Sequence, residues 1–441
     1  MRIRVLSILL LLVGGMTFSL IRGQDQDQRA AGPTTAKDRR APGPTRSAPK
    51  TPRLTSTQPS ALTRGPARDF SQLDEFSKEM LVSCQRGADW LSRINGTKGR
   101  FPDGYLPAVN AAIEGDNYLR QAGAAFALAR AARLLGEERY AARATQAILT
   151  LLDDTTVDSS DAKCRHTALP SAILNRLGAA GLLVLAINEL PAPQPDLLDR
   201  SEELCSWIRR QARDDGSLRC RDGDTDNAEA DDADSVNAYP GLAVYAVLRS
   251  QKHRPAAWKT ELARKAVVAY RAWWKNHRSM AFVPWQTAAW TEAYVQTKEA
   301  VFAELVYEMN DWLCGLQYDH LDPRRLLWYG GFLKWQDGKA IDAPPTISSA
   351  MYAESLAEAR RAARAGSDPA RYQRYTEVLQ RSLQFLVHLQ YTDANAQHFE
   401  EWYRPRLVGG FHASSQDGTL RIDYAQHALS ALAMYLEDSG S

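Results

Sequence analysis

The chain has 441 residues, and its 54 basic side chains nearly balance its 52 acidic ones. The basic excess lies in the first 66 residues, because the remainder carries 43 basic and 49 acidic side chains, a formal charge of about −6. A folded region with this negative balance does not suit a polyanion, so we expect no nucleic-acid partner. Five cysteines are too few for a scaffold built on disulfides at this length.

The N-terminus is typical of an exported protein. Residues 1–4 include two arginines and residues 5–21 are mostly apolar, which predicts a secretory signal cleaved near Gly23 or an uncleaved anchor. No other stretch approaches the ~18–20 apolar residues of a membrane helix. Residues 24–66 hold seven of the 21 prolines and no aromatic side chain, which predicts a disordered linker. We expect a folded domain over 67–441 that is periplasmic, extracellular or anchored at the outer face of a membrane.

Helical periodicity predicts twelve helices whose connections alternate between short and long. Five pairs of helices are joined by gaps of about two to six residues, whereas most gaps between pairs exceed the ~12–15 residues of an ordinary loop. A short gap joins only adjacent antiparallel helices. The pattern therefore predicts an all-α (α/α)6 toroid of six hairpins, with its long loops at one mouth. The predicted helices span 72–93, 116–136, 138–152, 170–189, 196–213, 239–250, 256–275, 285–297, 300–315, 347–364, 369–390 and 421–438.

The helices fall into two kinds, which we assign to two concentric rings. The first member of each pair is rich in small residues, as in 122–125 and 178–181, and helices crowded on all sides need small residues to approach closely. The second member carries charge on one face and apolar residues at three- and four-residue steps, as in 196–213. The first kind forms the inner ring and the second the outer ring, with helix 72–93 as the outer partner that closes the circle.

Three outer helices end in a glutamine that is followed by a glycine-rich turn: Gln211 before 215–218, Gln317 before 330–332 and Gln390 before 409–411. The twelve-helix pattern resembles the α/α-toroid superfamily, which includes six-hairpin glycosidases, uronate lyases and epimerases, and the squalene cyclase–prenyltransferase group. The glutamine turns resemble the last group. The resemblance covers roughly residues 70–438 and implies a fold rather than a chemistry.

Candidate catalytic residues follow from closure of the ring, which makes the first and last inner helices neighbours. Asp423 and His427 are four residues apart and share a helix face, and a carboxylate that orients a histidine is a common acid–base arrangement. Tyr424 is a second candidate proton carrier. Asp116, at the start of the first inner helix, is the fourth candidate, although it also suits a helix N-cap.

Candidate substrate-binding residues surround this position. Arg120 and Arg421 could hold a uronate carboxylate through paired hydrogen bonds. The other candidates are aromatic or polar residues of the fourth and fifth inner helices and of the loop before the last helix, because sugar-binding surfaces combine aromatic platforms with polar groups. They are Trp285, Gln286, Glu292, Tyr352, Glu354, Glu401, Trp402, Tyr403, Arg404 and His412.

Cysteines and acidic residues give weaker signals. Cys164 and Cys220 lie in consecutive long loops and could pair in an oxidising compartment. No Cys/His spacing matches a zinc site, and we expect no metal or other cofactor. The acidic run over 222–234 could bind a hard cation, but a solvated loop is the simpler interpretation. Its last part, 231–234, matches only incompletely the acidic motif of protonating terpene cyclases.

The sequence is compatible with three functions. The first is a secreted carbohydrate-active enzyme, either a uronate lyase or epimerase that uses histidine and tyrosine, or a glycoside hydrolase that uses paired carboxylates. The second is a non-catalytic toroid that binds an extracytoplasmic glycan or protein. The third, least favoured, is isoprenoid chemistry in an apolar cavity. The geometry of the mouth discriminates between them.

Overall fold

The computed structural model describes residues 68–169, 174–220 and 232–439. The predicted signal and linker therefore lie outside the described residues, as does most of the acidic run. Within the described ranges the chain forms twelve α-helices, and none of them is both long and apolar enough to cross a membrane. The helices are α1 (Glu75–Ile94), α2 (Tyr118–Leu135), α3 (Glu138–Asp153), α4 (Arg176–Glu189), α5 (Pro195–Arg210), α6 (Ala233–Ser250), α7 (Ala257–Asn276), α8 (Val283–Thr297), α9 (Ala300–Cys314), α10 (Ser349–Ala365), α11 (Pro369–His388) and α12 (Ile422–Ser439).

The even-numbered helices form a closed inner ring. Each packs against the next, from α2 through α4, α6, α8 and α10 to α12, and α12 packs against α2. The odd-numbered helices pack outside them, with α1 against α12 and α2. The inner helices are buried on nearly all sides, as in α4, whereas an outer helix such as α7 buries only one face. The predicted all-α toroid and the assignment of its two rings are confirmed.

Helix starts differ from the prediction where a capping residue decides them. Asn117, and not Asp116, caps α2, because its side chain accepts a hydrogen bond from the backbone of Arg120 at 3.2 Å. Helix α6 begins six residues before the predicted start at 239, because Asp232 accepts from the backbone of Ser235 at 2.8 Å. Sequence periodicity fixes which face of a helix is buried, but a cap fixes where the helix begins.

In the part of the chain that the structure describes, eight short strands, which the sequence pattern does not predict, lie in the long loops. They are β1 (Gly104–Leu106), β2 (Ala111–Ala112), β3 (Thr155–Asp158), β4 (Asp161–Thr167), β5 (Lys334–Gln336), β6 (Lys339–Ile341), β7 (His412–Ser414) and β8 (Asp417–Arg421).

One sheet closes the ring at the mouth. Its order is β2-β1-β8-β7, and all of its pairs are antiparallel. Gly104 of β1 lies opposite Arg421 of β8, and the backbone of Ile422 donates to the carbonyl of Asp103 at 3.1 Å. The loop before the first inner helix is thereby paired with the loop before the last one. This pairing fixes the relative height of α2 and α12.

Two of the three glutamine turns are structural ties around the outer ring. Gln390, just after α11, donates through Nε2 to the carbonyls of Ser83 in α1 and of Gly409, both at 3.0 Å. Gln317, just after α9, donates in the same way to Gly330 at 3.1 Å and to Val378 of α11 at 2.9 Å. Each of these glutamines therefore joins the end of one outer helix to the next outer helix.

The glycine in each turn is required by its backbone and its neighbour. Gly409 has φ +97°, and a Cβ there would lie 2.3 Å from the carbonyl oxygen of Arg86 in α1. Gly338, in the β5–β6 turn, has φ +74° but nothing within 4 Å of a Cβ. Comparing the two positions separates the backbone strain of a left-handed residue from the effect of close packing.

We predict that Gly409→Ala destabilises the protein more than Gly338→Ala. The second variant should lose only the left-handed strain, about 1 kcal/mol. The first should lose about 1–3 kcal/mol more, because a backbone carbonyl must move. Chemical denaturation of both variants measures the difference. Equal losses would show that Gly409 is not held against α1.

Buried ion pairs cross the inside of the ring. The side chain of Glu189, which ends α4, is 1% exposed and faces Arg130 at 3.3 Å, Arg133 at 2.5 Å and Arg249 at 2.9 Å. Burial opposes its ionisation, but the three arginines outweigh burial and hold the pKa of Glu189 well below its usual range. Glu292 of α8 continues the network to Arg249. The helices of the ring are therefore joined by charge as well as by apolar packing.

We predict that Glu189→Gln destabilises the protein by about 3–5 kcal/mol, because it leaves buried guanidinium groups without their carboxylate. Glu299→Gln removes an exposed partner of Arg264 and should change the free energy of unfolding by about 0–1 kcal/mol. The lowered pKa of Glu189 gives stability that is present above the ordinary carboxyl range and is lost as the pH falls. The gap between wild type and Glu189→Gln should therefore narrow in acid. A constant gap across pH would contradict this account.

Candidate active site

The junction of β8 with α12 carries the functional side chains predicted at ring closure. Arg421 ends the strand, and Asp423 and Tyr424 lie in the first turn of the helix. His427 follows one turn after Asp423 on the same helix. Because β8 is paired with β1, these side chains meet residues at the start of α2.

Four charged side chains form a chain across this junction. Arg421 holds Asp423 through two contacts, Nε to Oδ1 at 2.9 Å and Nη2 to Oδ2 at 2.5 Å. Arg120 of α2 approaches the same carboxylate with its Nε 3.7 Å from Oδ2, and its Nη1 donates to Asp103 at 2.7 Å. Both guanidinium groups are therefore engaged by carboxylates. The Arg421 guanidinium also lies 4.7 Å from the ring centre of Tyr424.

His427 is oriented by Glu354 rather than by Asp423, which corrects the sequence interpretation. Its Nδ1 lies 2.5 Å from Oε2 of Glu354 on the neighbouring α10, whereas Asp423 is taken by the two arginines. Burial alone would lower the pKa of His427, but the charge and hydrogen bond of Glu354, with a contribution from Asp423, raise it above its usual value. A carboxylate on Nδ1 leaves Nε2 as the edge for proton exchange.

A small cavity lies against Glu354. The volume open to the centres of water molecules is about 20 Å³, enough for one water but far below the ~300–1,000 Å³ of small-molecule sites. Its polar lining comes from Arg130, Glu354 and Glu358. Burial raises the pKa of Glu358, an effect that Arg361 opposes at 2.8 Å. The other lining residues are Pro284, Trp285, Ala288 and Met434.

Two of the predicted residues join the site from other helices. Trp285 of α8 is partly buried, and its ring centre lies 6.3 Å from that of His427. Glu354 of α10 holds the histidine. Together with Arg120, Arg421, Asp423 and Tyr424 they surround one region of the mouth.

Other predicted residues are directed elsewhere. Asp116 is exposed and faces Arg100 at 3.4 Å, which also pairs with Asp154 beside α3. This follows from the cap at Asn117, which leaves Asp116 outside the helix. Four more predicted residues are buried, packed or paired within the protein: Gln286 is fully buried, Glu292 pairs with Arg249 and Arg361, Tyr352 packs on Phe332, and His412 faces the carbonyl of Ser414.

The aromatic loop around 400–404 packs on the outer ring. Trp90 of α1 donates through Nε1 to the carbonyl of Arg406 at 2.9 Å, which holds the loop beside α1. The predicted convergence of this loop with His427 finds no support in these contacts. Of its predicted residues, Glu401 and Trp402 are exposed, Tyr403 is buried, and Arg404 donates to carbonyls of its own loop.

Sequence reasoning missed three residues of the site. Asp103 precedes β1, and only the pairing of β1 with β8 shows its role. Arg130 and Glu358 carried an unused signal, because each is a charge within a buried stretch of an inner helix. A charge at such a position needs a buried partner, and that partner lies on another helix.

The suggested disulfide does not form. Cys164 and Cys220 are both buried, but the thiol of Cys164 faces Oδ2 of Asp161 at 3.2 Å within its own hairpin. That hairpin, β3–β4, packs against α5. Among the described side chains no three of the His, Cys, Asp and Glu type cluster as metal ligands. Most of the acidic run lies outside the described residues and is not covered by that statement.

Comparisons with known proteins give the fold. No family model and no curated protein matches the sequence. A solved D-mannose isomerase aligns with a TM-score of 0.59 at 12% identity, over 83% of this chain and 100% of that one. An unsaturated glucuronyl hydrolase specific for heparin gives 0.57 at 14%, over 82% and 98%. Cellobiose 2-epimerase from Bacillus thermoamylovorans gives 0.57 at 10%, over 83% and 100%.

The chain is a six-hairpin α/α toroid. At these identities the likeness concerns architecture.

We predict that His427 titrates above 6.5, the ordinary value for a histidine, in an NMR titration of the full chain. Glu354→Gln should lower that pKa, because it removes the charge that stabilises the imidazolium. Glu401→Gln, which neutralises an exposed carboxylate of the α1-side loop, is the matched control and should leave it unchanged. An unshifted His427 pKa in Glu354→Gln would show that the 2.5 Å contact is not an ion pair.

Proposed function

We propose that this protein is a carbohydrate-active enzyme in which His427, oriented by Glu354, transfers a proton to or from a sugar. One observation carries the proposal: the 2.5 Å contact between Nδ1 of His427 and Glu354 at the mouth of the ring. A carboxylate that fixes the imidazole and stabilises its charged form is what a histidine acid–base needs. The fold likeness to sugar isomerases, epimerases and glycosidases supports the substrate class.

The chemistry follows from the two edges of the imidazole. Neutral His427 keeps its proton on Nδ1, toward Glu354, and takes a substrate proton at Nε2. The imidazolium is then stabilised by Glu354 and, at longer range, by Asp423. Tyr424, whose pKa is raised mainly by burial, stays a protonated phenol three residues before His427 on the same helix and can act as a second proton donor. This arrangement suits epimerisation, isomerisation or β-elimination.

Hydrolysis by paired carboxylates is less well supported. It needs one carboxylic acid that donates a proton and one carboxylate on the other side of the bond. Asp423 is held by two arginines and Glu354 by His427, so neither is poised as an acid. Glu358 has a raised pKa, but Arg361 is bound to it within the ring.

A non-catalytic toroid is the second candidate, favoured by the small cavity. Space for about one water beside Glu354 cannot hold a sugar ring, so a glycan would have to bind outside this cavity. The charged lining of that cavity gives no support to isoprenoid chemistry, which needs apolar walls.

Export stays a proposal that rests on residues 5–21 of the sequence.

We predict that His427→Gln lowers turnover by about 100-fold or more, the usual size of an acid–base contribution. The assay follows deuterium uptake from D2O into a panel of reducing sugars, together with ultraviolet absorbance of unsaturated products from uronate polysaccharides. His388→Gln changes an exposed histidine of outer helix α11 and should keep full activity. Thermal unfolding must show that both variants are folded.

Activity that survives in folded His427→Gln would remove the histidine from the mechanism. Binding of a glycan without turnover in the wild type would favour the non-catalytic alternative.

A further inference from the structure

The charges at the mouth balance one another. Two arginines, Arg120 and Arg421, face two aspartates, Asp103 and Asp423, through contacts of 2.5–3.7 Å. His427 and Glu354 form a further pair one turn below. With the histidine protonated the formal charge of this group is zero, and with the histidine neutral, as a base must be, it is −1.

Burial also ties the two arginines to their aspartate partners. Asp103 is only 4% exposed, so its negative charge has little access to water and depends on Arg120. Arg421 is fixed in a bidentate pair with Asp423 and packs over the ring of Tyr424. A substrate carboxylate could take either guanidinium only by weakening its contact with an aspartate. It would also add a negative charge to a region that has no net positive charge to offset it.

We propose that the mouth recognises neutral sugars rather than uronates. This inference rests on the proposed function and narrows it: the arginines position the aspartates, and the sequence-based role of Arg120 and Arg421 as a uronate clamp is replaced. Proton transfer in a neutral sugar then means exchange at the carbon beside the reducing-end carbonyl, as in epimerisation or isomerisation. The base removes that proton from the carbon, which leaves an enediolate. In epimerisation a proton returns to the same carbon from the other face. In isomerisation it adds to the former carbonyl carbon while the hydroxyl proton moves to the former carbonyl oxygen, so no co-reactant is needed.

The chemistry of the mouth fits hydroxyl groups. The Arg421–Asp423 pair presents a donor edge next to an acceptor edge, and a hydroxyl both donates and accepts. Hydrogen bonds from neutral hydroxyls to charged groups are strong and leave the ion pair intact. Trp285 lies 6.3 Å from His427, centre to centre, and offers an apolar face beside the same histidine.

The test compares matched neutral and acidic sugars on the full chain. Cellobiose and mannobiose are each paired with the analogue that carries glucuronic or mannuronic acid at the non-reducing end. Saturation-transfer NMR and calorimetry measure binding, and deuterium uptake measures turnover. We expect the neutral member to bind at least about tenfold more tightly at low salt, and its affinity to change little as salt screens charges. Preferential binding of the uronates, weakening with salt, would overturn the inference.

Two variants make the reason testable. Asp423→Asn frees positive charge at Arg421 and should shift the preference toward the uronate by about tenfold or more. Arg421→Gln should weaken the binding of neutral and acidic sugars by similar factors. This variant still tests the proposal if Asp423→Asn fails to fold. Selective loss of uronate binding in Arg421→Gln would restore the uronate clamp.

Failure of this inference differs from failure of the proposed function. Turnover of uronates that depends on His427 would overturn the neutral-sugar inference and keep the enzyme. Binding of neutral sugars without any turnover would keep the inference about recognition and remove the enzyme. Binding of neither class would overturn both.

Discussion

Closure of the ring is the constraint on which the rest of the structure depends. Inner helices rich in small residues leave apolar surface on two sides, and only a complete circle buries both. The last helix, α12, must therefore insert between α10 and α2, with α1 from the start of the folded region as its outer partner. Pairing of β1 with β8 sets the height at which these helices meet. Contacts between the two ends of a domain form at a large entropic cost, so a sheet and an ion-pair chain at this seam are physically reasonable.

Charges inside the ring follow from the same geometry. In a ring of six helices rich in small residues, neighbouring helices approach one another closely. The centre of the ring still needs long side chains to fill it. Arginines reach furthest, and each buried one requires a carboxylate. Glu189 and Glu292 meet that requirement on one level, and Glu354 with His427 meets it on another. The pair proposed for catalysis is thus one member of a charge pattern that also stabilises the fold.

The sequence predicts this architecture through the lengths of the gaps between helices, because a gap of a few residues permits only an antiparallel neighbour. The same logic places Asp423 and His427 of the last inner helix beside Arg120 of the first. It fails for Asp116, because Asn117 and not Asp116 is the residue that caps the helix. It also fails for the partner of His427. Glu354 lies on α10, and the direction of its side chain depends on the rotation of that helix about its axis. The periodicity of a single sequence identifies the buried face of the helix but does not fix this rotation more closely.

The position of the water-sized cavity restricts how a sugar can react here. Its wall includes Glu354, which holds His427, and Arg130, which is held by Glu189. The space in this cavity holds about one water, so a sugar ring cannot enter it. A substrate of the proposed reaction is therefore held outside the cavity, beside the charged groups of the β8–α12 junction and Trp285, whose ring centre lies 6.3 Å from that of His427.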